Sequence, residues 1–310
     1  MKPLSRELAV PAGHSADRVL RALRNGPYDP TALVGSRYGT WLAFRTPEGP
    51  TTLRVLQRGR SVAVGAWGPG AQAALDGSPA LLGLEDDWSD FDEHVLPRLP
   101  ERLASLRRLH PGLASPASGR MWDALFPAIL GQKVTAEEAL NAYASLTRRF
   151  GDPAPGAENG TAPPWLRLPL APEQVRRISS WDWHAARVDR SRATTAMEAA
   201  RASGLGTLGE ADERTAYARL QHLPGVGPWT AAETVQRTHA AKDAVSVGDY
   251  HVAHLVGQAL IGRRVDDDGM LHLLRPFDGQ RQRVVRVIFS RPIRKQAYGP
   301  RLAPEDHRGR

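Results

Sequence analysis

The sequence predicts a mostly α-helical protein of 310 residues that begins with a small antiparallel β-sheet. Apolar and polar residues alternate between residues 38 and 68, as they do in half-buried strands. From Phe91 onward the apolar residues recur at the three- and four-residue intervals of helices, and nothing repeats at the period of a solenoid. A chain of this length can form two or three domains.

The β-rich segment comes first, and residues 1–95 are predicted to form an α+β N-terminal domain. Its strand-like segments are Gly39–Arg45, Thr51–Gln57 and Ser61–Trp67, which predict an antiparallel meander. The run at residues 85–93 is too acidic to face a polyanion. We interpret this run as a solvated surface that is anchored by Trp88 and Phe91.

Residues 96–290 are predicted to form a helical core. Residues 121–130 form one helix, and a capping box at residues 135–138 opens another that ends near residue 151. Proline and glycine make residues 152–166 a loop. Further helices are predicted at about 172–180, 190–203, 211–223, 228–240, 249–262, 267–275 and 279–290.

The composition excludes several classes of protein. The absence of cysteine excludes disulfides, thiolate zinc sites and cysteine-ligated iron–sulfur clusters. No stretch approaches eighteen apolar residues, and no signal-like apolar segment follows Met1, so we expect a cytoplasmic protein with no membrane association.

The net charge of +8 is concentrated at the C-terminal end. Residues 281–310 contain nine Arg or Lys and two acidic residues, a local charge of +7. Residues 291–310 are therefore predicted to form a basic tail. The tail either contacts nucleic-acid phosphates or is a solvated extension of an arginine-rich protein.

The most informative motif is the segment Leu-Pro-Gly-Val-Gly-Pro-Trp-Thr at residues 223–230. Gly225 and Gly227 allow a sharp turn between two helical segments and a close approach to the backbone. Pro228 suits the first position of a helix, whose free N–H groups bind anions. Asp249 follows Gly227 by twenty-two residues. The pattern predicts a DNA-binding hairpin followed by a catalytic carboxylate.

Together with the run Phe-Pro-Ala-Ile-Leu-Gly-Gln-Lys-Val-Thr at residues 126–135, these features resemble the helix-hairpin-helix DNA glycosylase superfamily. The resemblance is strongest to the 3-methyladenine DNA glycosylase II family and covers roughly residues 110–290. It implies a two-lobed helical core with the helix-hairpin-helix at residues 213–240. The absence of cysteine separates the chain from the cluster-bearing endonuclease III branch.

The resemblance implies that Asp249 is the catalytic carboxylate. A glycosylase flips its target base out of the duplex and stabilises the positive charge that grows on the sugar. An Asp before a helix is also a good N-cap, and the two interpretations are compatible because a helix N-terminus stabilises an anion by about 0.3–1 kcal/mol.

The resemblance also implies the DNA-binding residues. The backbone at Gly225, Gly227 and Thr230 is expected to bind phosphate, and the carbonyls of Leu223 and Gly225 to hold a monovalent cation. Gln132 either contacts DNA or caps a helix end.

Ser115 occupies the position from which relatives insert an apolar side chain into the vacated base stack. Serine is a poor wedge because it is small and polar. Leu113 and Gln132 are therefore the alternatives for this function.

The base pocket is expected to include Trp229, Phe289, Tyr250 and Trp122. The alternative for each aromatic is packing in the core. Glu233 replaces an aromatic residue of the relatives, and a carboxylate near the cleft would change the preferred base.

Trp229 stands where bifunctional relatives carry the lysine that forms a Schiff base, so hydrolysis without lyase activity, cofactor or catalytic metal is expected.

The predicted function is a monofunctional glycosylase for alkylated purines. One alternative is a glycosylase for deaminated bases such as hypoxanthine or uracil, and another is a non-catalytic protein that binds damaged DNA. The expected partner is double-stranded DNA containing damaged bases, bound by a monomer in the nucleoid of a bacterial cytoplasm.

Overall fold

The computed structural model describes residues 3–290. Its strands are β1 (Leu4–Ala9), β2 (Ala32–Ser36), β3 (Gly39–Thr46), β4 (Gly49–Arg58) and β5 (Ser61–Trp67). They form one antiparallel sheet in the order β1-β5-β4-β3-β2. The predicted meander is confirmed as β3–β5, whereas β1 and β2 were not predicted.

The helices that pack with the sheet are α1 (Ala16–Leu20), α2 (Ala71–Asp76) and α3 (Ser78–Leu81). The helical region then comprises α4 (Glu101–Leu109), α5 (Met121–Leu130), α6 (Ala136–Phe150), α7 (Pro172–Val175), α8 (Ser180–Ala185), α9 (Arg190–Ala199), α10 (Glu213–Leu220), α11 (Pro228–Thr238), α12 (Val252–Ile261), α13 (Asp267–Leu274) and α14 (Arg281–Phe289). The predicted fold class, a mostly α protein with an N-terminal antiparallel sheet, is confirmed.

The capping box that opens α6 is present. The Thr135 side chain accepts a hydrogen bond from the Glu138 amide, and the Glu138 carboxylate accepts one from the Thr135 amide. The single helix predicted at 172–180 is instead two short helices, α7 and α8, because Ser179 caps a new start by accepting a bond from the Asp182 amide.

The helical region has two separate apolar cores, which define two lobes. The first lobe is built from residues 121–241, and its core includes the buried faces of α5, α6, α9, α10 and α11. The second lobe combines residues 88–113 with residues 245–288, so two distant parts of the chain share one core. Trp88, Phe91 and Val95 belong to this second core. These three residues of the predicted N-terminal domain thus pack with the helical region, and the domain boundary at residue 95 stays a prediction.

The acidic run at residues 85–93 is a solvated surface with buried aromatic anchors, as expected, since Glu85, Asp87, Asp90 and Glu93 are exposed while Trp88 and Phe91 are buried. Its other two acidic residues make ion pairs. Asp86 forms an ion pair with the buried Arg283, and Asp92 accepts two hydrogen bonds of 2.7 Å from the buried Arg107. The guanidinium groups of Arg107 and Arg283 lie 4.5 and 4.8 Å from the Trp88 ring centroid. These contacts attach the run to α4 and α14.

The basic tail predicted at 291–310 lies outside the described residues.

A small cavity of about 40 Å³ lies between the sheet and the first lobe, where Asp123 and Arg120 are among its lining residues. Burial raises the pKa of Asp123 and lowers that of Arg120, while their 3.2 Å ion pair opposes both shifts. The cavity has room for a few water molecules at most and not for a nucleobase. It is therefore not a substrate pocket.

Candidate active site between the two lobes

The hairpin between α10 and α11 has the backbone that its glycines predict. Gly225 has a φ of +81°, in the left-handed region, and the Val226 amide donates to the Leu223 carbonyl at 3.0 Å. A Cβ on Gly225 would lie 2.2 Å from the hydroxyl of Thr195 on α9. Glycine is therefore required at residue 225 both by backbone conformation and by packing within the first lobe.

Gly227 differs from Gly225 because nothing in the protein requires it. Its φ of −94° suits any residue, and a Cβ there would meet no atom within 4 Å. The first hydrogen bond of α11 runs from the Ala231 amide to the Gly227 carbonyl, so the amides of Trp229 and Thr230 precede the helical ladder. An open surface beside free amides at a helix N-terminus can accept a phosphate.

Gln132 anchors the hairpin from the end of α5. Its amide nitrogen donates to the Gly225 carbonyl and to the Thr230 hydroxyl, both at 2.9 Å. The Thr230 side chain is therefore buried in this contact, and only its backbone can serve as the predicted phosphate ligand. Cation binding by the carbonyls of Leu223 and Gly225 remains a prediction, since each oxygen already accepts one hydrogen bond and keeps one lone pair.

Asp249 lies where the chain passes from the first lobe to the second, between Val245 and Val252, which are both buried in the second core. One carboxylate oxygen accepts hydrogen bonds from the amides of His251 and Val252, at 2.8 and 3.0 Å. Asp249 thus caps the turn that leads into α12, from two residues before the N-cap position at His251. The second oxygen is left to face the first lobe.

Trp229 meets that second oxygen. Its indole Nε1 lies 3.4 Å from Oδ2 of Asp249, a long hydrogen bond that joins the hairpin helix to the carboxylate. The far edge of the ring passes Gly131, where a Cβ would lie 3.0 Å from the indole carbon Cη2. The glycine at the end of α5 thus leaves space for the indole ring, and sequence reasoning had assigned it no such function.

Glu233, one turn after Trp229, takes part in a network that connects α11 to the segment carrying Asp249. Its carboxylate pairs with Arg237 at 2.8 Å and accepts a 2.5 Å hydrogen bond from the hydroxyl of the buried Ser246. Gln236 donates to the same hydroxyl at 3.0 Å and to the Ala244 carbonyl at 2.8 Å. The negative charge of Glu233 is therefore balanced by Arg237. No sequence pattern had pointed to Gln236 or Ser246.

Two further aromatic candidates lie on the surface. Tyr250 follows Asp249 directly, is 81% exposed and contacts the His251 ring with centroids 4.9 Å apart. Phe289 ends α14 and is 46% exposed. Both can reach an approaching ligand, but the described contacts do not join Phe289 to Trp229 or Asp249.

Trp122 is not with the other pocket candidates. It lies near the start of α5, about eight residues or roughly 12 Å along the helix from its end, where Gly131 meets Trp229. Its indole donates to the Leu170 carbonyl at 2.6 Å and stacks on Phe126 with centroids 5.5 Å apart. The core alternative is the correct one for this residue.

Ser115 and Leu113 also differ from expectation. Ser115 is only 6% exposed, and its amide donates to the buried Asp86 carboxylate at 2.8 Å. Leu113 is buried in the core of the second lobe. Neither side chain can enter a DNA base stack from these positions, so of the three wedge candidates only Gln132 remains near the hairpin surface.

Arg286 on α14 was not predicted as a site residue. It donates to the Ala114 carbonyl, and its buried Nε has no hydrogen-bond partner. Burial lowers the pKa of Arg286, and the nearby Arg237 lowers it further while Asp86 opposes the change.

Within residues 3–290, no group of three or more His, Asp or Glu side chains is arranged to hold a metal ion. In the same part of the chain, no helix is both long and apolar enough to cross a membrane.

The chain matches no protein-family profile and no curated protein sequence. Its structure is similar to solved structures along nearly its whole length. The 3-methyladenine DNA-glycosylase from Archaeoglobus fulgidus gives a TM-score of 0.73 at 16% sequence identity, covering 92% of this chain and 97% of that protein.

Two other solved structures are similar over a comparable length. A structure of MBOgg1 in complex with a low-affinity DNA ligand gives a TM-score of 0.70 at 13% identity, covering 94% of this chain and 98% of that one. The 8-oxoguanine glycosylase/lyase of Clostridium acetobutylicum gives 0.69 at 10% identity, with coverages of 94% and 98%. The chain therefore shares the fold of these solved structures, two of which are named as glycosylases, and this agrees with the fold that the sequence resemblance implied.

Proposed function

We propose that the protein is a monofunctional DNA glycosylase that hydrolyses the N-glycosidic bond of alkylated purines, such as N3-methyladenine and N7-methylguanine, in base excision repair. The observation that carries this proposal is the 3.4 Å contact between the Trp229 indole and the Asp249 carboxylate. It brings a stacking surface, an anion and the phosphate-binding start of α11 to one place between the lobes. A flipped nucleotide needs these three groups together.

In the proposed reaction the bond between the sugar C1′ and the base nitrogen breaks, and the base leaves with the bonding electron pair. Oδ2 of Asp249, the oxygen beside the Trp229 indole, stabilises the positive charge on the sugar and orients a water molecule. The water oxygen then bonds to C1′, and its proton passes to the departed base or to solvent. The products are a free base and an abasic site.

The proposed absence of lyase activity is supported by the residue at the start of α11, which is Trp229 and not lysine. An imine with the sugar requires an amine, and the chain has only four lysines, at positions 2, 133, 242 and 295. We expect no strand cleavage of abasic DNA and no covalent complex after borohydride reduction. A trapped adduct would show that one of these lysines acts as a nucleophile.

The preference for alkylated purines is supported by the chemistry of the leaving group. N3-methyladenine and N7-methylguanine carry a formal positive charge that weakens the glycosidic bond, so little acid catalysis is needed. The face of Trp229 attracts such a cation by about 0.5–2 kcal/mol. Glu233 adds no unbalanced negative charge because it pairs with Arg237 at 2.8 Å.

The deciding experiment is base release from duplexes that each contain one lesion, measured under single-turnover conditions. We expect N3-methyladenine and N7-methylguanine to be released faster than hypoxanthine or uracil. The opposite order would replace the alkylpurine proposal with a glycosylase for deaminated bases. Tight binding of damaged duplex without release of any base would identify a non-catalytic damage-binding protein.

A further inference from the structure

Two basic residues near the hairpin have an uncommon backbone conformation. Three non-glycine residues in the described part of the chain have positive φ: Lys133 at 55°, Arg187 at 60° and Ala240 at 50°. A side chain in the left-handed region costs free energy that glycine avoids, so such a residue persists only where its surroundings fix the backbone. Lys133 and Arg187 belong to different turns, one after α5 and one after α8.

A single buried arginine fixes both turns. Arg192 on α9 is 2% exposed and donates to the Leu130 carbonyl at 2.8 Å and to the Arg187 carbonyl at 3.1 Å. Asp189 balances its charge at 2.6 Å. Leu130 precedes Lys133 by three residues, so one guanidinium holds the two left-handed turns side by side.

These turns are continuous with the hairpin. Gln132, next to Lys133, donates to the Gly225 carbonyl at 2.9 Å. On the other side, Thr195 of α9 packs directly against Gly225. The surface that includes Lys133 and Arg187 therefore adjoins the phosphate-binding turn at Gly225.

A third cation follows Arg187 by three residues. Arg190 is the first residue of α9 and is exposed, and the acidic residue beside it, the N-cap Asp189, pairs with Arg192. A positive charge in the first turn is opposed by the helix dipole and needs an anion to offset it. No side-chain ion pair joins Lys133, Arg187 or Arg190 to an acidic residue within the described range of 3–290. Their charges are thus available to an external polyanion.

We propose that Lys133, Arg187 and Arg190 form a second phosphate-binding surface that contacts the backbone of duplex DNA beside the phosphate held by the hairpin. We call it the flanking surface. This inference rests on the proposed function for its choice of DNA as partner. It differs from the hairpin contact in chemistry, because the hairpin offers backbone amides whereas the flanking surface offers side-chain cations on a rigid pair of turns.

The test is the salt dependence of binding to an undamaged duplex, measured by fluorescence anisotropy. Each phosphate contact contributes about 0.9 to the slope of log affinity against log salt concentration. The double variant Lys133→Gln/Arg187→Gln should therefore lower the slope by about 1.8. The matched control Lys242→Gln/Arg58→Gln removes the same two charges, from the turn after α11 and from the end of β4, and should leave the slope unchanged.

A second pair of variants separates DNA contact from a structural effect. Lys133→Gly/Arg187→Gly suits the left-handed backbone, so this variant should fold and melt at the same or a higher temperature while its slope falls by the same amount of about 1.8. Unchanged slopes in both double variants would overturn the inference.

The two proposals can fail separately. If the wild-type protein binds DNA with a normal salt slope but releases no base, the proposed enzymatic function fails while the flanking surface is still decided by the slopes. If base release is normal and the double variants bind like the wild type, only the flanking surface is wrong. A wild-type protein without salt-dependent DNA binding would overturn both.

Discussion

Asp249 combines a structural and a chemical function because its two oxygens have different partners. Oδ1 accepts from the amides of His251 and Val252, and Oδ2 faces the Trp229 indole. An asparagine can keep the first set of bonds through its amide oxygen but carries no charge. Alanine loses both the cap and the charge. These two substitutions therefore separate stability from catalysis.

For Asp249→Asn we expect base release to fall by about two to three orders of magnitude while DNA affinity stays within a few fold. Asp249→Ala should lose the same activity and in addition about 0.5–2 kcal/mol of unfolding free energy, because α12 loses its cap. Single-turnover release, DNA titration and urea unfolding measure the three quantities. Retention of most activity by Asp249→Asn would refute the mechanism.

The two hairpin glycines should respond in opposite ways to alanine. Gly227→Ala meets open space and should raise the unfolding free energy by about 0.4–1 kcal/mol, yet weaken DNA binding about tenfold or more because the methyl group occupies the phosphate approach. Gly225→Ala should destabilise the fold by at least about 1–3 kcal/mol, because it combines a φ of +81° with a clash against Thr195. If Gly227→Ala bound DNA with the same affinity as the wild type, no phosphate would bind beside Gly227.

At the residue level, the sequence could predict those features that depend only on residues close by in the chain. The turn at Gly225 and the cap at Asp249 depend on neighbouring residues, and both are observed. The burial of Ser115 depends on Asp86, which lies 29 positions earlier in the chain. Contacts over such separations leave no periodic pattern in one sequence.

Helix α11 carries several site groups on one face, since Trp229, Glu233 and Arg237 follow each other at four-residue spacing. Its contact with Ser246 fixes the segment that leads to Asp249. The position of the carboxylate therefore depends on a hydrogen-bond network between elements of different lobes. This network can be tested without altering Asp249 itself.

Ser246→Ala removes the hydroxyl shared by Glu233 and Gln236 and leaves both without that partner. We expect a slower single-turnover rate with unchanged DNA affinity, and a stability loss of about 1–3 kcal/mol. Glu233→Gln keeps an acceptor for the hydroxyl and should retain more of the rate. As a control, Ser78→Ala removes an equally buried hydroxyl from the N-terminal domain and should lower stability alone. A full rate in Ser246→Ala would contradict the positioning function.

At the element level, strands were predicted where one of their faces is apolar. The residues of β1 are exposed with one exception, so this strand has no alternation to detect, and only its pairing with β5 defines it. The division of the predicted 172–180 helix follows from a cap at Ser179 that competes with continuation. Helix ends elsewhere differ from prediction by a few residues, as fraying ends usually do.

At the scale of the whole molecule, His14 lies where the N-terminal domain meets the second lobe. It is buried, its Nε2 has no hydrogen-bond partner, and its backbone packs against Gly112. Burial lowers the pKa of His14 below its ordinary value of 6.5. The His14 imidazole therefore binds a proton more tightly in the unfolded chain than in the folded protein. The contribution of neutral His14 to the free energy of unfolding is fully present above the pKa that His14 has in the unfolded chain. It is lost as the pH falls through the pKa that His14 has in the folded protein.

We therefore expect the unfolding free energy of the wild type to decrease as the pH is lowered below about 6.5, and His14→Gln to show a smaller decrease over the same range. Urea unfolding of both proteins between about pH 7.5 and about pH 5.5 measures the difference. Parallel curves for the two proteins would show that His14 does not contribute.

The second lobe joins residues 88–113 to residues 245–288 around one core, with Arg283 buried against Asp86. On a ribosome, residues 88–113 emerge long before residues 245–288 and have no core to pack against while the first lobe is synthesised. The second lobe, which positions Asp249, can form only after α14 has left the exit tunnel. A nascent chain can thus form the hairpin early, whereas the contact between Trp229 and Asp249 has to form later.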